Sequence, residues 1–280
     1  MIQYGNRFLE EQLGVVNQNE FMIIGSATSV GKTTFANMLV WGFVKQGLKP
    51  CFISIENTAG DTVKLAAFKE WKKLTSQWDY KRSVWESNLR DVPDSIMVSA
   101  LEESMKKLEE IVLVENEGHY SLAHLQESLD KAKNQGCDII VLDHIDYIFG
   151  TKENEYRDMN DILLSIKQFV DINKIPVIAF SQLASKIDPK VIIPTEYDLF
   201  GSRNKAKFAT SVVIMARDFD NEDRDKGLYP VFFCLRKGRY DGIKNSAVRV
   251  QFDIRTGEYD FSHMQKVLVS ADGRKIKEVF

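Results

Sequence analysis

Short apolar runs and longer amphipathic stretches alternate along most of this 280-residue chain. The runs cover residues 20–25, 50–56, 110–115, 138–143, 175–181, 211–216, 230–235 and 247–252. The early runs are apolar at nearly every position, which predicts strands buried on both faces of a parallel sheet. Helical stretches separate them: 33–46, stopped by Gly47; 62–74; 121–135, stopped by Gly136; and 158–173, with Pro176 just beyond. This alternation predicts a doubly wound α/β domain. From about residue 211 the helices cease and strand follows strand, which predicts antiparallel strands at the C-terminal edge of the sheet. The charged segment 79–107 reads as a helical insertion between the second and third strands.

Composition narrows the class. A chain with 44% hydrophobic and 28% charged residues is ordinary for a soluble globular protein, and its length suits one large domain. The formal net charge of -3 excludes a protein that coats nucleic acid by bulk charge, so any such contact must be local. Cys51, Cys137 and Cys234 form no CxxC pair and read as buried reduced thiols. The four histidines lack ligand spacing. No stretch approaches the roughly 20 apolar residues that span a bilayer, and the N-terminus has no signal-peptide core. The expectation is a cytoplasmic protein with no membrane partner.

The first apolar run leads into Gly25-Ser26-Ala27-Thr28-Ser29-Val30-Gly31-Lys32-Thr33-Thr34, and a helix follows. Strand, loop and helix in that order are what a phosphate-binding loop requires. Gly31 permits a backbone that a side chain would hinder, and loop N–H groups can cradle phosphate oxygens. Lys32 supplies a charge for the β- and γ-phosphates, and the Thr33 hydroxyl can ligate Mg²⁺. The helix dipole adds to the attraction. Gly25, Ser29, Gly31, Lys32, Thr33 and Thr34 are therefore candidate binders of ATP or another NTP, with Mg²⁺. The simple motif wants glycine at position 26, where Ser26 stands; the glycine comes one residue earlier.

Such a loop needs acidic partners. Asp143 ends the run Ile139-Ile140-Val141-Leu142, at the carboxyl end of a strand, where it can hold the magnesium ion. Glu56 follows the run 50–55 and is a candidate general base for the attacking water. Gln182 ends the run 175–181 and can contact the γ-phosphate. After it, the loop 183–199 carries Lys186 and Lys190.

These motifs, in this order, resemble the hexameric replicative DNA helicases with a RecA-type core. They are similar to the DnaB type, and more closely to the helicase half of phage primase–helicases and of Twinkle. The resemblance rests on 25–34, Ser54-Ile55-Glu56, 138–146, Phe180-Ser181-Gln182-Leu183, Asp198-Leu199-Phe200-Gly201-Ser202 and Leu235-Arg236-Lys237-Gly238-Arg239. It implies a RecA-like, mostly parallel sheet over residues 20–280, with a helical insertion at about 62–107 and a short lead-in or linker at 1–19. It implies catalytic roles for Glu56, Gln182, Lys237 and Arg239, the last two as fingers reaching a neighbouring subunit's ATP. It places Arg217 where the family stacks a base. Lys186, Lys190, Arg203, Asn204 and Lys205 become candidate contacts to single-stranded DNA. The implied function is an ATP-dependent DNA helicase or translocase working as a homo-oligomeric ring, a hexamer, with a separate primase or other replication proteins as partners. The alternative is a RecA-like ATPase without motor activity: a nucleotide-gated assembly factor, loader or regulator. A P-loop kinase fits less well, because no acceptor-binding lid is discernible.

Overall fold

The computed structural model describes residues 1–115, 118–149, 155–185, 187–201, 203–223, 226–240 and 242–278. It opens with a strand pair, β1 (Ile2–Gln3) and β2 (Val15–Val16), flanking helix α1 (Arg7–Leu13). Asn6 caps α1, its side chain accepting from the Leu9 amide. Tyr4, Phe8, Leu9 and Leu13 are buried in the main core. The expected lead-in or short linker, residues 1–19, thus packs its large apolar side chains on the main core.

β3 (Phe21–Ser26) leads through the phosphate-loop candidate into α2 (Lys32–Val44), and β4 (Pro50–Ser54) follows. The expected insertion is three helices, α3 (Ala59–Thr75), α4 (Arg82–Asp91) and α5 (Ser95–Leu108). Next come β5 (Val112–Glu115), α6 (Leu122–Asn134), β6 (Ile139–Asp143), α7 (Glu155–Asn173) and β7 (Val177–Gln182). A loop then reaches the short α8 (Asn204–Phe208). The chain ends in β8 (Ser211–Arg217), β9 (Leu228–Gly238), β10 (Ser246–Asp253), β11 (Glu258–Val269) and β12 (Ile276–Glu278).

One sheet holds ten of these strands, in the order β12-β11-β10-β9-β8-β3-β7-β6-β4-β5. β8, β3, β7, β6, β4 and β5 run parallel. β9 to β12 add on antiparallel. Phe21 and Ile23 of β3 pack with Leu125, Leu129, Ile162 and Ile166 of α6 and α7. Met22 and Ile24 face the other way, onto Phe35, Leu39 and Phe43 of α2 and Phe8 of α1. Helices on both faces explain why the early strands are apolar throughout. Cys51, Cys137 and Cys234 are buried and free. Among the described residues no helix is long and apolar enough to cross a membrane.

Two parts escaped the sequence reading. β11 and β12 extend the sheet past residue 252, and the β11–β12 turn supports the loop after β7. The Gly273 carbonyl accepts from the amides of Ile192 (2.9 Å) and Ile193 (3.1 Å). Arg274 pairs with Asp188 at 2.6 Å. Gly273 has φ +74°, and a Cβ there would run into the Ile193 carbonyl, so the contact requires glycine. Behind it the fully buried Arg236 donates to Pro194 O (2.9 Å), Ile193 O, Asn245 Oδ1 (2.8 Å) and Ser270 O (3.2 Å).

The insertion carries its own small core of Ala67, Phe68, Trp71, Trp85, Met97 and Ala100. Three lysines of α3 tie it to the β10–β11 turn: Lys69 Nζ to Gly257 O (2.9 Å), Lys72 Nζ to Arg255 O (2.5 Å) and Lys73 to Glu258 (2.5 Å). Trp85 is fully buried in that satellite core and remote from the main one. We expect Trp85→Ala to destabilise the insertion by about 3–5 kcal/mol. Hydrogen exchange should then show lost protection across 59–108 while the β3 and β7 amides stay protected. Equal loss in both places would mean that the insertion does not open separately.

Candidate active site

The parallel register brings the strand ends to one edge. Ser26 of β3 lies opposite Gln182 of β7 and Met215 of β8, and Ser54 of β4 lies opposite Asp143 of β6. Glu56 comes two residues after Ser54, and Arg217 two residues after Met215. Gly25, Ser29, Gly31, Lys32, Thr33, Thr34, Glu56, Asp143, Gln182 and Arg217 therefore gather on the edge where open α/β sheets bind ligands.

The loop is shaped for backbone donors. Ser29 has φ 63° and Gly31, the residue before α2, has φ 100°. No side chain caps α2, so its first-turn N–H groups point out at the positive end of the helix dipole. Gly25 packs tightly: a Cβ there would strike Leu199 and Ile214. That contact is a physical reason for glycine at 25, whereas the buried Ser26 turns its hydroxyl to Ala27 O (3.0 Å).

Charges converge behind the loop. Burial pushes the Lys32 ammonium below its ordinary value, and Asp143, Glu56 and Asp146 oppose that push. Asp143 is fully buried. Burial raises its carboxyl above the usual range, against the pull of Thr33, His144 and Lys32. The Thr33 hydroxyl works to lower it, yet neither Asp143 oxygen is in a well-formed hydrogen bond. A buried carboxylate so poorly satisfied is costly unless a cation completes it. Asp143 and the Thr33 hydroxyl thus suit a hard, oxygen-seeking divalent ion such as Mg²⁺. Glu56 is half exposed, 3.8 Å from His144 Nε2, and so is open to water.

Several side chains here were not singled out from the sequence. Tyr259 of β11 donates its hydroxyl to Val30 O (2.7 Å) and reaches Gly31 O (3.2 Å), bracing the loop from below. The buried His144 holds Nε2 at 3.2 Å from Gln182 Nε2 and Nδ1 at 3.1 Å from Asp146. Burial works to raise Asp146, but donors from His144, Lys205 and the Gln182 amide outweigh it and hold the carboxyl below its usual range. His144 and Asp146 sit in the run after Asp143, where two polar residues among apolar ones were the available hint.

Other expected residues lie elsewhere. Lys205 is not a surface contact for DNA: it is fully buried, paired with Asp146 and bonded to Ser181 Oγ (3.0 Å) and Phe200 O (2.6 Å). Lys237 is not a free finger: its ammonium donates to Ala206 O (2.7 Å) and Ala209 O (2.6 Å) at the end of α8. Burial lowers its pKa, and neighbouring Arg239 adds to this. Arg239 is exposed, and its backbone N–H bonds Thr210 O, at the opposite edge from the loop. Arg217 stacks over the Tyr229 ring (3.9 Å) and pairs with Glu222. Lys190 and Arg203 are exposed, and Asn204 is part-buried with its Nδ2 on Asn160 Oδ1 (2.9 Å). Lys186 and Ser202 lie outside the described residues.

Tyr259→Phe removes one hydrogen bond from the loop without opening a cavity. Nucleotide affinity, titrated with a fluorescent ATP analogue, should fall about 2- to 10-fold, matching one bond of about 0.5–1.5 kcal/mol. Unchanged affinity would show that ring packing alone sets the loop.

Comparison with known proteins follows the same lines. The chain superposes on one solved ATPase domain with a TM-score of 0.75 and 18% identity, covering 92% of this chain and 90% of that one. It superposes on the structure of a DnaB-like replicative helicase and its interactions with primase with a TM-score of 0.74 and 18% identity, covering 92% of this chain and 61% of that one. At that identity the two establish the fold, a RecA-like ATPase domain. No curated protein sequence matches the chain. The family described as DnaB-like helicase C-terminal domain matches residues 2–260. With nearly its whole length matched, the chain belongs to the DnaB-like helicase family, as an NTP-hydrolysing C-terminal helicase domain.

Proposed function

We propose that this chain hydrolyses ATP at the boundary between neighbouring copies of itself and uses the energy to move a ring, a hexamer, along single-stranded DNA. The observation that carries this reading is the position of Arg239. Its backbone is bonded to Thr210, and Thr210 in turn to Phe21 at the start of β3. The phosphate loop begins at the far end of that strand, about 17 Å away at the usual strand rise. An exposed arginine on the opposite edge cannot serve its own loop. It can reach a neighbour's, where its planar fork suits the charge that builds on a transferring phosphoryl group.

The chemistry then divides among the chain's residues. Loop N–H groups and Lys32 bind the β- and γ-phosphates. Thr33 and Asp143 would hold Mg²⁺, which supplies charge neutralisation at those phosphates. Glu56, open to solvent, takes a proton from the attacking water. Gln182 contacts the γ-phosphate or that water. Arg217, held on the Tyr229 ring at the same edge, offers its guanidinium face to the base. Arg239 of a neighbouring copy completes the site. Lys237 serves by capping α8 and fixing the turn that carries Arg239. Lys190, Arg203 and Asn204, repeated around a ring, would give a basic track in a protein that is acidic overall. A separate primase is an expected partner.

Single-stranded DNA should stimulate ATPase activity several-fold, with an affinity that falls steeply as salt rises. An ATPase indifferent to DNA at every concentration would favour the non-motor alternative. Arg239→Ala should abolish turnover while ATP-analogue binding stays near wild type. Mixed with wild type, it should depress activity by more than its mole fraction. Simple dilution in that mixture would sink the cross-boundary role.

A further inference from the structure

A run of buried polar side chains connects α8 to the end of β7. Lys205 of α8 pairs with Asp146 Oδ1. Asp146 Oδ2 accepts from the Gln182 backbone N–H (2.6 Å) and faces His144 Nδ1 at 3.1 Å. His144 Nε2 meets Gln182 Nε2 at 3.2 Å. Lys205, Asp146 and His144 expose 0%, 4% and 1% of their side chains, so solvent can replace none of these partners.

The chemistry of each group fixes its orientation. An ionised carboxylate only accepts, so Nδ1 of His144 carries its proton toward Asp146. Nε2 of His144 faces the Gln182 amide nitrogen, and that contact is a hydrogen bond when Nε2 accepts the amide N–H. With its nitrogen committed to His144, the side chain of Gln182 has its carbonyl oxygen to offer the attacking water. Lys205 anchors the other end. Its ammonium also holds Ser181 Oγ and Phe200 O, and the Phe200 N–H bonds Gln182 O (2.9 Å), so moving α8 pulls on Asp146, on Ser181 of β7 and, through Phe200, on Gln182.

We propose that Lys205, Asp146 and His144 are positioning residues that couple α8 to the amide of Gln182, so that strand contact at Arg203 and Asn204 adjusts hydrolysis. This rests on the DNA-motor reading above. Lys205 is suited to the task because it cannot itself touch a strand: it is a buried charge whose partners lie inside the domain. A buried ion pair is weak evidence for stability and is better explained by specificity of arrangement, and its network is continuous, so it offers a physical path for energetic coupling.

The test compares wild type, Lys205→Met, His144→Phe and His144→Gln. For each, ATPase kcat and KM are measured with and without oligothymidylate, alongside oligothymidylate affinity, ATP-analogue affinity and thermal melting. In Lys205→Met and His144→Phe the DNA-stimulated kcat should fall about tenfold while KM and DNA affinity stay within about twofold. His144→Gln, which keeps one donor and one acceptor, should regain most of the stimulation. Unaltered stimulation in Lys205→Met would overturn the proposal. So would DNA affinity falling in step with kcat, which would put Lys205 on the strand itself. If Lys205→Met does not fold, the two His144 variants decide: failure of both to the same degree means packing and not hydrogen bonding, and overturns the coupling. A wild type that DNA does not stimulate overturns the motor reading along with this one; a stimulated wild type with stimulated variants overturns this one alone.

Discussion

Lys32 and Asp143 are two charges that the sheet buries side by side, and each would be costly alone. Burial pushes the lysine down and the aspartate up, and each resists the shift in the other. The parallel strands make this pairing possible. They end together, so the loop after β3 and the acid at the end of β6 share one edge without either strand bending. Glu56 and Gln182 are placed by the same rule. What the fold supplies is therefore a fixed set of distances between strand ends, and the chemistry follows from the residue type at each end.

That rule also explains what could be read in the sequence. The strand-end positions of Glu56, Asp143 and Gln182, and the loop that carries Gly31, Lys32 and Thr33, could be expected because each follows a mostly apolar run, and such a run has one natural setting, inside a parallel sheet. Lys205 was misread because a lysine in a polar loop gives no sign that an aspartate about sixty positions earlier has drawn it inside. Lys237 was misread for a similar reason: its carbonyl partners lie about thirty residues back, and backbone acceptors leave no trace in composition. Tyr259 was invisible because half of β11 is exposed and the strand lacks a clear apolar face. The first nineteen residues were undervalued because strands of two residues and a helix of seven are too short for periodicity to register.

The helical insertion is less detached than its separate core implies. α3 starts just after Glu56, with Thr58 capping it, and its lysines grip the β10–β11 turn at Arg255, Gly257 and Glu258. Tyr259, which braces the phosphate loop, is the next residue. One helix thus spans from the candidate general base to the support beneath the phosphates, and anything that leans on the insertion would reach both.

The β11–β12 turn lies beyond residue 260, where the match to the family ends. Its Gly273 and Arg274 nonetheless form the floor on which residues 188–194 rest. The part of the chain under least obligation to the family pattern therefore sets the posture of a loop expected to meet the strand. Changes confined to that turn shift residues 188–194 while leaving the phosphate loop as it is, giving two parts of one domain separate places in which to evolve.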